Sequence, residues 1–205
     1  MNNIFGKRIS AFLIDIFFIF IVINLVTQIK FINPTYDKYI ENYNNYSELF
    51  EEFQEEKINY DEFLLKYDKI YYNISKYSVS YNVVIILVLL LYFGVFQKYN
   101  NGQTLGKKIM KLRVVSNTFD NVSLIKYLIR TLPIYYIYIG GIIPLIINSF
   151  LVFILSANNY MVVTNIINYI FLFISIISFV MIIVRKDNRG LHDMLVNTKV
   201  EYIEK

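Results

Sequence analysis

Four long apolar runs restrict the folds that this chain can adopt. They cover residues 9–29, 79–96, 132–155 and 160–184. A helix of about 20 apolar residues spans the hydrocarbon core of a bilayer, whereas a soluble domain of 205 residues rarely needs 56% hydrophobic residues. The runs therefore predict an all-α transmembrane protein, with residues 1–205 forming one domain built as a four-helix membrane bundle.

The start of the first run has features of a secretory signal peptide, because Lys7 and Arg8 precede it. The run is longer than the apolar part of a signal peptide, contains Asp15, and is not followed by a cleavage site of small residues. We therefore expect a permanent membrane span.

Basic residues are distributed unevenly along the chain. Of the 20 lysines and arginines, fourteen lie before residue 9, in segment 97–131 or after residue 184, and six lie in segment 30–78 beside ten acidic residues. Lysine and arginine are retained on the cytoplasmic side of a membrane. With four spans, this bias predicts that both termini and segment 97–131 are cytoplasmic. The abundance of Asn, Ile, Lys and Tyr is typical of AT-rich coding and suggests a bacterium. Together with the four apolar runs, it leads us to expect a multi-pass protein of a bacterial cell membrane.

Residues 33–78 predict an inserted extracytoplasmic hairpin of two helices, because aromatic residues recur there in steps of three and four. Asn33-Pro34 offers an N-cap for the first helix, and Asn59 with Glu62 has the spacing of a capping box for the second. The aromatic seam either packs the two arms together or docks a partner. The first interpretation is favoured, since a regular seam on both arms already accounts for the aromatics. The seam residues are Tyr36, Tyr39, Tyr43, Tyr46, Phe50 and Phe53, followed by Tyr60, Phe63, Tyr67, Ile70, Ile74, Tyr77 and Tyr81.

An acidic residue, Asp15, lies inside the first apolar run. Arg8 is seven residues earlier and shares nearly the same helix face, with the small Ala11 between them. A central aspartate costs roughly 2.5–3.5 kcal/mol in a membrane helix unless it is protonated, paired or hydrated. Asp15 is therefore a candidate for binding an ion or a proton. The alternative is a structural lock in which Asp15 hydrogen-bonds a neighbouring helix.

Helix breakers and polar residues interrupt the last two runs. Residues 140–141 are glycines and, with Pro144, predict a kinked or broken third span. Asn168, Ser175 and Ser178 share one face of the fourth run. We expect that face to turn inward and to pack through hydrogen bonds.

Two stretches outside the runs complete a pattern with Arg8 and Asp15: NGQTLGKKIMKLRVV at 101–115 and NRGLHDMLVNTKV at 188–200. The pattern resembles the RDD family of bacterial membrane proteins, which is named for one arginine and two aspartates. In that family the arginine opens the first span, the first aspartate lies within it, and the second follows the last span in a Leu-His-Asp motif. Here Arg8, Asp15 and Asp193 occupy those places.

Further positions agree with the same resemblance, which covers both ends and the middle of the chain but not the outer hairpin. An arginine, Arg130, stands where the family often opens its next span, and His192 precedes the second aspartate. The resemblance implies a role in the transport of undefined ligands. The segment G-x-T-x-G-K of the family is matched by Gly102, Thr104, Gly106 and Lys107.

The same stretches argue against several functions. Gly102 and Gly106 are one residue too close for a phosphate loop, and Lys108 stands where such a loop has Ser or Thr. His192 is the single histidine, so we expect no metal site of the kind that needs several ligands. With no cysteine and no nucleophile–base pair, we expect a protein that is not an enzyme, takes no cofactor and binds no nucleic acid.

Local structure can also be predicted for these stretches. Thr104 is expected to cap a short helix whose lysines face the anionic headgroups of the cytoplasmic leaflet. The segments LRVV and NTKVEYI favour extended structure, and predict a small cytoplasmic strand pair in which Val114 packs against Val200.

Arg8, Arg130 and Asp193 all lie at predicted cytoplasmic ends of spans, with Asp15 just above them. We expect a polar cluster in which Arg8 contacts Asp15 or Asp193. This arrangement predicts transport of a small ion or solute, with Asp15 as the titrating carboxylate and Arg8 as its modulator. The alternative is a non-transporting scaffold or accessory subunit, whose outer hairpin binds a protein partner or a second copy of the chain.

Overall fold

A computed structural model describes residues 4–118, 121–133, 135–136 and 140–203 of the protein. These residues are mostly helical, with short strands near the middle and the end of the chain. In chain order the elements are α1 (Ile4–Thr27), α2 (Tyr36–Gln54), α3 (Tyr60–Tyr77), α4 (Val79–Leu90), a π-helical turn (Leu91–Phe96), α5 (Gln97–Tyr99), α6 (Leu105–Ile109), β1 (Leu112–Ser116), α7 (Leu124–Thr131), β2 (Tyr135–Tyr136), β3 (Gly140–Gly141), α8 (Ile142–Leu151), α9 (Ala157–Val184), α10 (Leu191–Leu195) and β4 (Thr198–Tyr202).

Three helical stretches are long and apolar enough to cross a membrane. They are α1, the continuous helix Val79–Tyr99, and α9, with mean hydropathies of 2.7, 2.4 and 2.7. Large apolar side chains on them, such as Phe17 and Phe173, remain exposed, as expected of helices surrounded by lipid. These stretches correspond to the first, second and fourth predicted spans.

The third predicted span, 132–155, does not form one long helix. Its α8 has 10 residues, or about 15 Å at 1.5 Å per residue, which is too short for the bilayer core. Before α8, strands β2 and β3 pair antiparallel, with Tyr136 opposite Gly140, so the predicted interruption falls at the two glycines. Residues 134 and 137–139 lie outside the described part of the chain. The structure thus gives three candidate spans and a shorter apolar helix in place of the four spans predicted.

The chain divides into two compact units. The first comprises Met1–Ile23, Ile86–Ile143 and Ile170–Lys205, and the second comprises Asn24–Ile85 and Pro144–Tyr169. The first contains every residue that the sequence singled out as a site.

The second unit contains the predicted helical hairpin, formed by α2 and α3. Aromatic rings of the two arms meet, with 4.6 Å between the ring centroids of Phe53 and Phe63. The Asn59 side chain accepts a hydrogen bond from the Glu62 amide at 2.9 Å and caps α3 as predicted. The predicted cap of α2 is wrong. Asn33 is buried and its amide oxygen instead accepts a hydrogen bond from the Ser80 hydroxyl at 2.6 Å, so the helix begins at Tyr36.

The first unit contains the predicted strand pair. Strands β1 and β4 are antiparallel, and Val114 lies directly opposite Val200. Both valines are buried, while Arg113 points outward, as the alternation of a strand requires. The core of this unit also includes Ala11 of α1, so the strand pair packs against the beginning of that helix.

Candidate functional site

The Asp15 carboxylate is buried, with 1% of the residue exposed, and is held by three hydrogen bonds. Its Oδ1 accepts from the Tyr92 hydroxyl at 2.6 Å and from the Gly106 amide at 2.8 Å, and its Oδ2 accepts from the Thr104 hydroxyl at 2.6 Å. None of the three donors carries a charge. Within the described part of the chain, Asp15 therefore obtains the partners that a buried polar group requires without forming an ion pair.

Two of these donors belong to the segment around α6, whose sequence explains how they reach Asp15. Thr104 is the N-cap of this short helix, as predicted, and its hydroxyl accepts from the Lys107 amide at 3.3 Å while it donates to Asp15. A Cβ atom on Gly106 would overlap the backbone carbonyl of Ala11. Only glycine lets α6 approach α1 closely enough for the Gly106 amide to bind the carboxylate.

The turn before α6 also depends on a glycine. Gly102 has a φ of +78°, a conformation that side chains rarely adopt, and a Cβ atom there would overlap the Val114 carbonyl. The Gln97 side chain donates a hydrogen bond to the Gly102 carbonyl at 3.0 Å. Gly102 thus fixes the turn that brings Thr104 toward Asp15.

The third donor, Tyr92, was missed by the sequence analysis. It lies on the π-helical turn Leu91–Phe96, and its hydroxyl also accepts a hydrogen bond from the Leu105 amide at 3.1 Å. Turns of this kind are rare and occur frequently at functional sites. The signal that could have found it is a tyrosine inside an apolar run, because a buried phenol needs a partner.

The second aspartate, Asp193, is fully buried and is paired with two arginines. Arg8 Nη2 lies 2.8 Å from its Oδ2, and Arg130 Nη2 lies 2.6 Å from its Oδ1. The Gly190 amide donates to Oδ2 at 3.1 Å. Burial alone would raise the pKa of Asp193, but the neighbouring cations outweigh it and lower that pKa below its ordinary range. Arg8 also donates to the Asn188 carbonyl at 2.6 Å.

His192 connects Asp193 to the end of α9. Its Nε2 lies 3.5 Å from Asp193 Oδ2, and its Nδ1 lies 3.1 Å from the hydroxyl of Ser178. Burial and the nearby cations lower the pKa of His192 to about 3, although the Asp193 carboxylate raises it. The imidazole is therefore neutral at physiological pH. Ser178 is buried, as expected for the inward face of the fourth run.

Lys107 is the remaining charged residue of the predicted set. It is partly buried, whereas Lys108 and Lys111 are exposed. Its Nζ lies 3.4 Å from the Thr104 hydroxyl oxygen and 5.6 Å from the centroid of the Phe93 ring. Burial lowers the pKa of Lys107 to about 8, with the two aspartates raising it and Arg130 and Arg8 lowering it further.

The structure distributes the predicted residues between two clusters of the first unit. We call the group around Asp15 the Asp15 cluster; it consists of Asp15, Tyr92, Thr104 and Gly106. The Asp193 cluster consists of Arg8, Arg130, His192 and Asp193. Of the two partners expected for Arg8, the guanidinium hydrogen-bonds Asp193, and Asp15 is bound by other residues.

Comparison with known proteins gives one match. The family model described as the RDD family matches residues 4–197. No curated protein and no solved structure matches the chain.

A double-mutant cycle should separate the two clusters. Asp193→Asn removes the carboxylate that pairs with the buried Arg130 and the partly buried Arg8, and breaking such a pair typically costs about 3–5 kcal/mol. We expect Arg8→Gln and Asp193→Asn to couple by roughly 0.5–3 kcal/mol, while Arg8→Gln and Asp15→Asn add within about 0.5 kcal/mol. The measurement is the free energy of unfolding in detergent. Stronger coupling of Arg8 to Asp15 than to Asp193 would contradict the arrangement described.

The close approach of α6 to α1 should make Gly106→Ala destabilising. The added methyl group overlaps the Ala11 carbonyl, and overpacking of this kind typically costs about 1–3 kcal/mol. The control is Lys108→Ala on the same helix, which is exposed and should change the stability by less than about 0.5 kcal/mol. Thermal unfolding of both variants checks this, and equal melting temperatures would show that α6 does not need the glycine.

Proposed function

The chain belongs to the RDD family, and from this premise we propose that it transports a small ion or solute across a bacterial cell membrane. In this proposal it is a multi-pass protein that is not an enzyme, with the Asp15 and Asp193 clusters near the cytoplasmic leaflet. The three long apolar helices and the family membership support a membrane protein. The ion or solute is proposed to be bound in the first unit.

The observation that carries the proposal is the group of five charged residues in that unit. Asp15 and Asp193 are fully buried, and Arg130 is nearly so, on or beside apolar helices. Charged side chains in such places are expensive and commonly mark the path of an ion or proton. The five residues are Arg8, Asp15, Lys107, Arg130 and Asp193.

The two carboxylates differ in what they can exchange. Asp193 is held by Arg8 and Arg130, so binding a proton or cation there means breaking two ion pairs. Among the described residues, the hydrogen-bond donors to Asp15 are all neutral, and two of them are hydroxyl groups that can rotate to accept instead of donate. We therefore assign the exchanging role to Asp15 and a fixed structural role to Asp193.

A second candidate function is a non-transporting scaffold or accessory subunit. The observation that favours it is the set of large apolar side chains that the α2–α3 hairpin leaves exposed, since exposed apolar patches often bind other proteins. In this alternative the hairpin contacts a protein partner or a second copy of the chain. The side chains are Tyr43, Phe50, Tyr60 and Leu65, between 40% and 75% exposed.

The orientation in the membrane can be tested by labelling, because the chain has no cysteine of its own. Glu52→Cys and Asn117→Cys each introduce a single thiol. We expect an impermeant maleimide added to intact cells to label position 52 and to label position 117 only after the cells are opened, since basic segments stay cytoplasmic. Labelling of position 117 from outside would reject the proposed orientation.

Transport itself is tested with purified protein in liposomes, by screening proton and ion fluxes. We expect Asp15→Asn to reduce the flux at least about tenfold, which corresponds to about 1.4 kcal/mol, because the amide keeps the shape but cannot bind a proton. The matched control is Asp187→Asn, an exposed carboxylate three residues after the end of α9 that should leave the flux unchanged. Wild-type flux in a folded Asp15→Asn protein would remove Asp15 from the mechanism, and no flux of any ion would favour the scaffold.

A further inference from the structure

Lys107 contacts Thr104 of the Asp15 cluster and adds a positive charge to two clusters whose own charges balance. Arg8, Arg130 and Lys107 supply three positive charges, and Asp15 and Asp193 supply two negative ones. His192 adds none at neutral pH, because its pKa is about 3. A protonated Lys107 therefore leaves one positive charge in excess.

The three cations differ in how they are paired. Both arginines are paired with Asp193, whereas the polar contact made by Nζ is the one to the Thr104 hydroxyl, at 3.4 Å. Among the residues that the structure describes, no carboxylate oxygen lies within 4.0 Å of Nζ. An ammonium has three donors, so donors remain for another ligand.

A partly buried ammonium without a counter-ion either loses its proton or takes an anion from its surroundings. Lys107 as a residue is partly exposed, and an anion would reach its ammonium from that side. The rest of α6 has the composition of a helix that lies against headgroups, with Lys108 exposed beside Ile109, which is 62% exposed. Lysine binds phosphate well as a point charge.

We propose that Lys107 binds a phosphate group, either as free phosphate or as the phosphate of a lipid headgroup. The bound group neutralises the excess charge and ties α6 to its surroundings. This site goes beyond the proposed function and does not depend on it: a flux without phosphate binding would reject the site alone, and phosphate binding without a flux would reject transport alone.

The binding should depend on pH with a definite sign. Burial lowers the pKa of Lys107 to about 8, so the ammonium is charged below that pH and is neutralised as the pH rises through it. The charged groups that face Lys107 are Asp15 and Arg8 on α1, Arg130 on α7 and Asp193 on α10, with the neutral His192 beside them. Asp193 and His192 keep their charge states between pH 7 and 9, because their own pKa values lie far below this range. Phosphate gains negative charge as the pH rises, which by itself would strengthen its binding to a cation. Weaker binding at pH 9 would therefore be caused by the loss of the lysine charge.

The test uses the full-length, lipid-free protein in a neutral detergent, with inorganic phosphate added at constant ionic strength. At a concentration about ten times the dissociation constant, we expect the wild-type melting temperature to rise by roughly 3–6 °C at pH 7 and by less at pH 9. Lys107→Gln should abolish the shift at both pH values. Lys107→Arg should keep the shift at pH 9, because the guanidinium stays charged. The exposed neighbour Lys108→Gln should behave as wild type.

A second arm identifies the source of the phosphate. In phosphate-free buffer, the protein is placed in nanodiscs of a neutral galactolipid, whose headgroup has no phosphate, with or without phosphatidylglycerol. A headgroup site predicts that phosphatidylglycerol raises the melting temperature of the wild type and Lys108→Gln but not of Lys107→Gln, and that free phosphate then adds nothing. A free-phosphate site predicts a shift with inorganic phosphate in both discs.

Three results would overturn the proposal: no wild-type shift with either phosphate source, an undiminished shift in Lys107→Gln, or equal losses in Lys107→Gln and Lys108→Gln. If Lys107→Gln does not fold, the comparison of wild type with Lys107→Arg at pH 9 decides. Equal shifts of these two proteins at that pH would reject the role of the lysine charge.

Discussion

The buried carboxylate of Asp15 is the constraint on which the first unit depends. Its three donors come from two distant segments, the π-helical turn and the region around α6, so satisfying this one group fixes α1 against both. Each donor requires a particular residue or conformation at its own position. Gly106 must lack a side chain, Thr104 must cap a helix, and Tyr92 must be turned inward by an irregular turn. With an apolar residue at position 15, none of these three requirements would apply.

In the Asp193 cluster, the buried carboxylate is stabilised by charged partners instead of neutral donors. Two arginines from α1 and α7 meet one carboxylate at the beginning of α10, and the neutral His192 extends the cluster to Ser178 of α9. Helix α1 therefore contributes to both clusters, through Arg8 to one and through Asp15 to the other. Since breaking a buried ion pair is far more costly than never forming it, this cluster gives the unit a specific arrangement more than it gives net stability.

Those parts of the fold that depend on a local sequence pattern could be predicted from the sequence. The aromatic period predicted the hairpin, and the preference of LRVV and NTKVEYI for extended structure predicted the strand pair in which Val114 meets Val200. The position of Thr104 predicted its cap. The rest depends on tertiary contacts. A spacing of seven placed Arg8 and Asp15 on one face but could not choose the partner of Arg8. The Asn33 side chain accepts a hydrogen bond from the Ser80 hydroxyl, so the expected N-cap of α2 does not form. Paired backbone at residues 135–136 and 140–141 replaces the expected third span.

The π-helical turn has a consequence for how the second span is compared with related sequences. Such a turn takes up about one residue more than an α-helical turn, which corresponds to a rotation of roughly 100° at 3.6 residues per turn. Residues before Leu91 and after Phe96 therefore do not continue one helical wheel, and a single wheel assigns wrong faces beyond the turn. A relative that lacks the extra residue would align only with a one-residue gap within 91–96. Its counterpart of Tyr92 would then be found at a neighbouring position in the alignment.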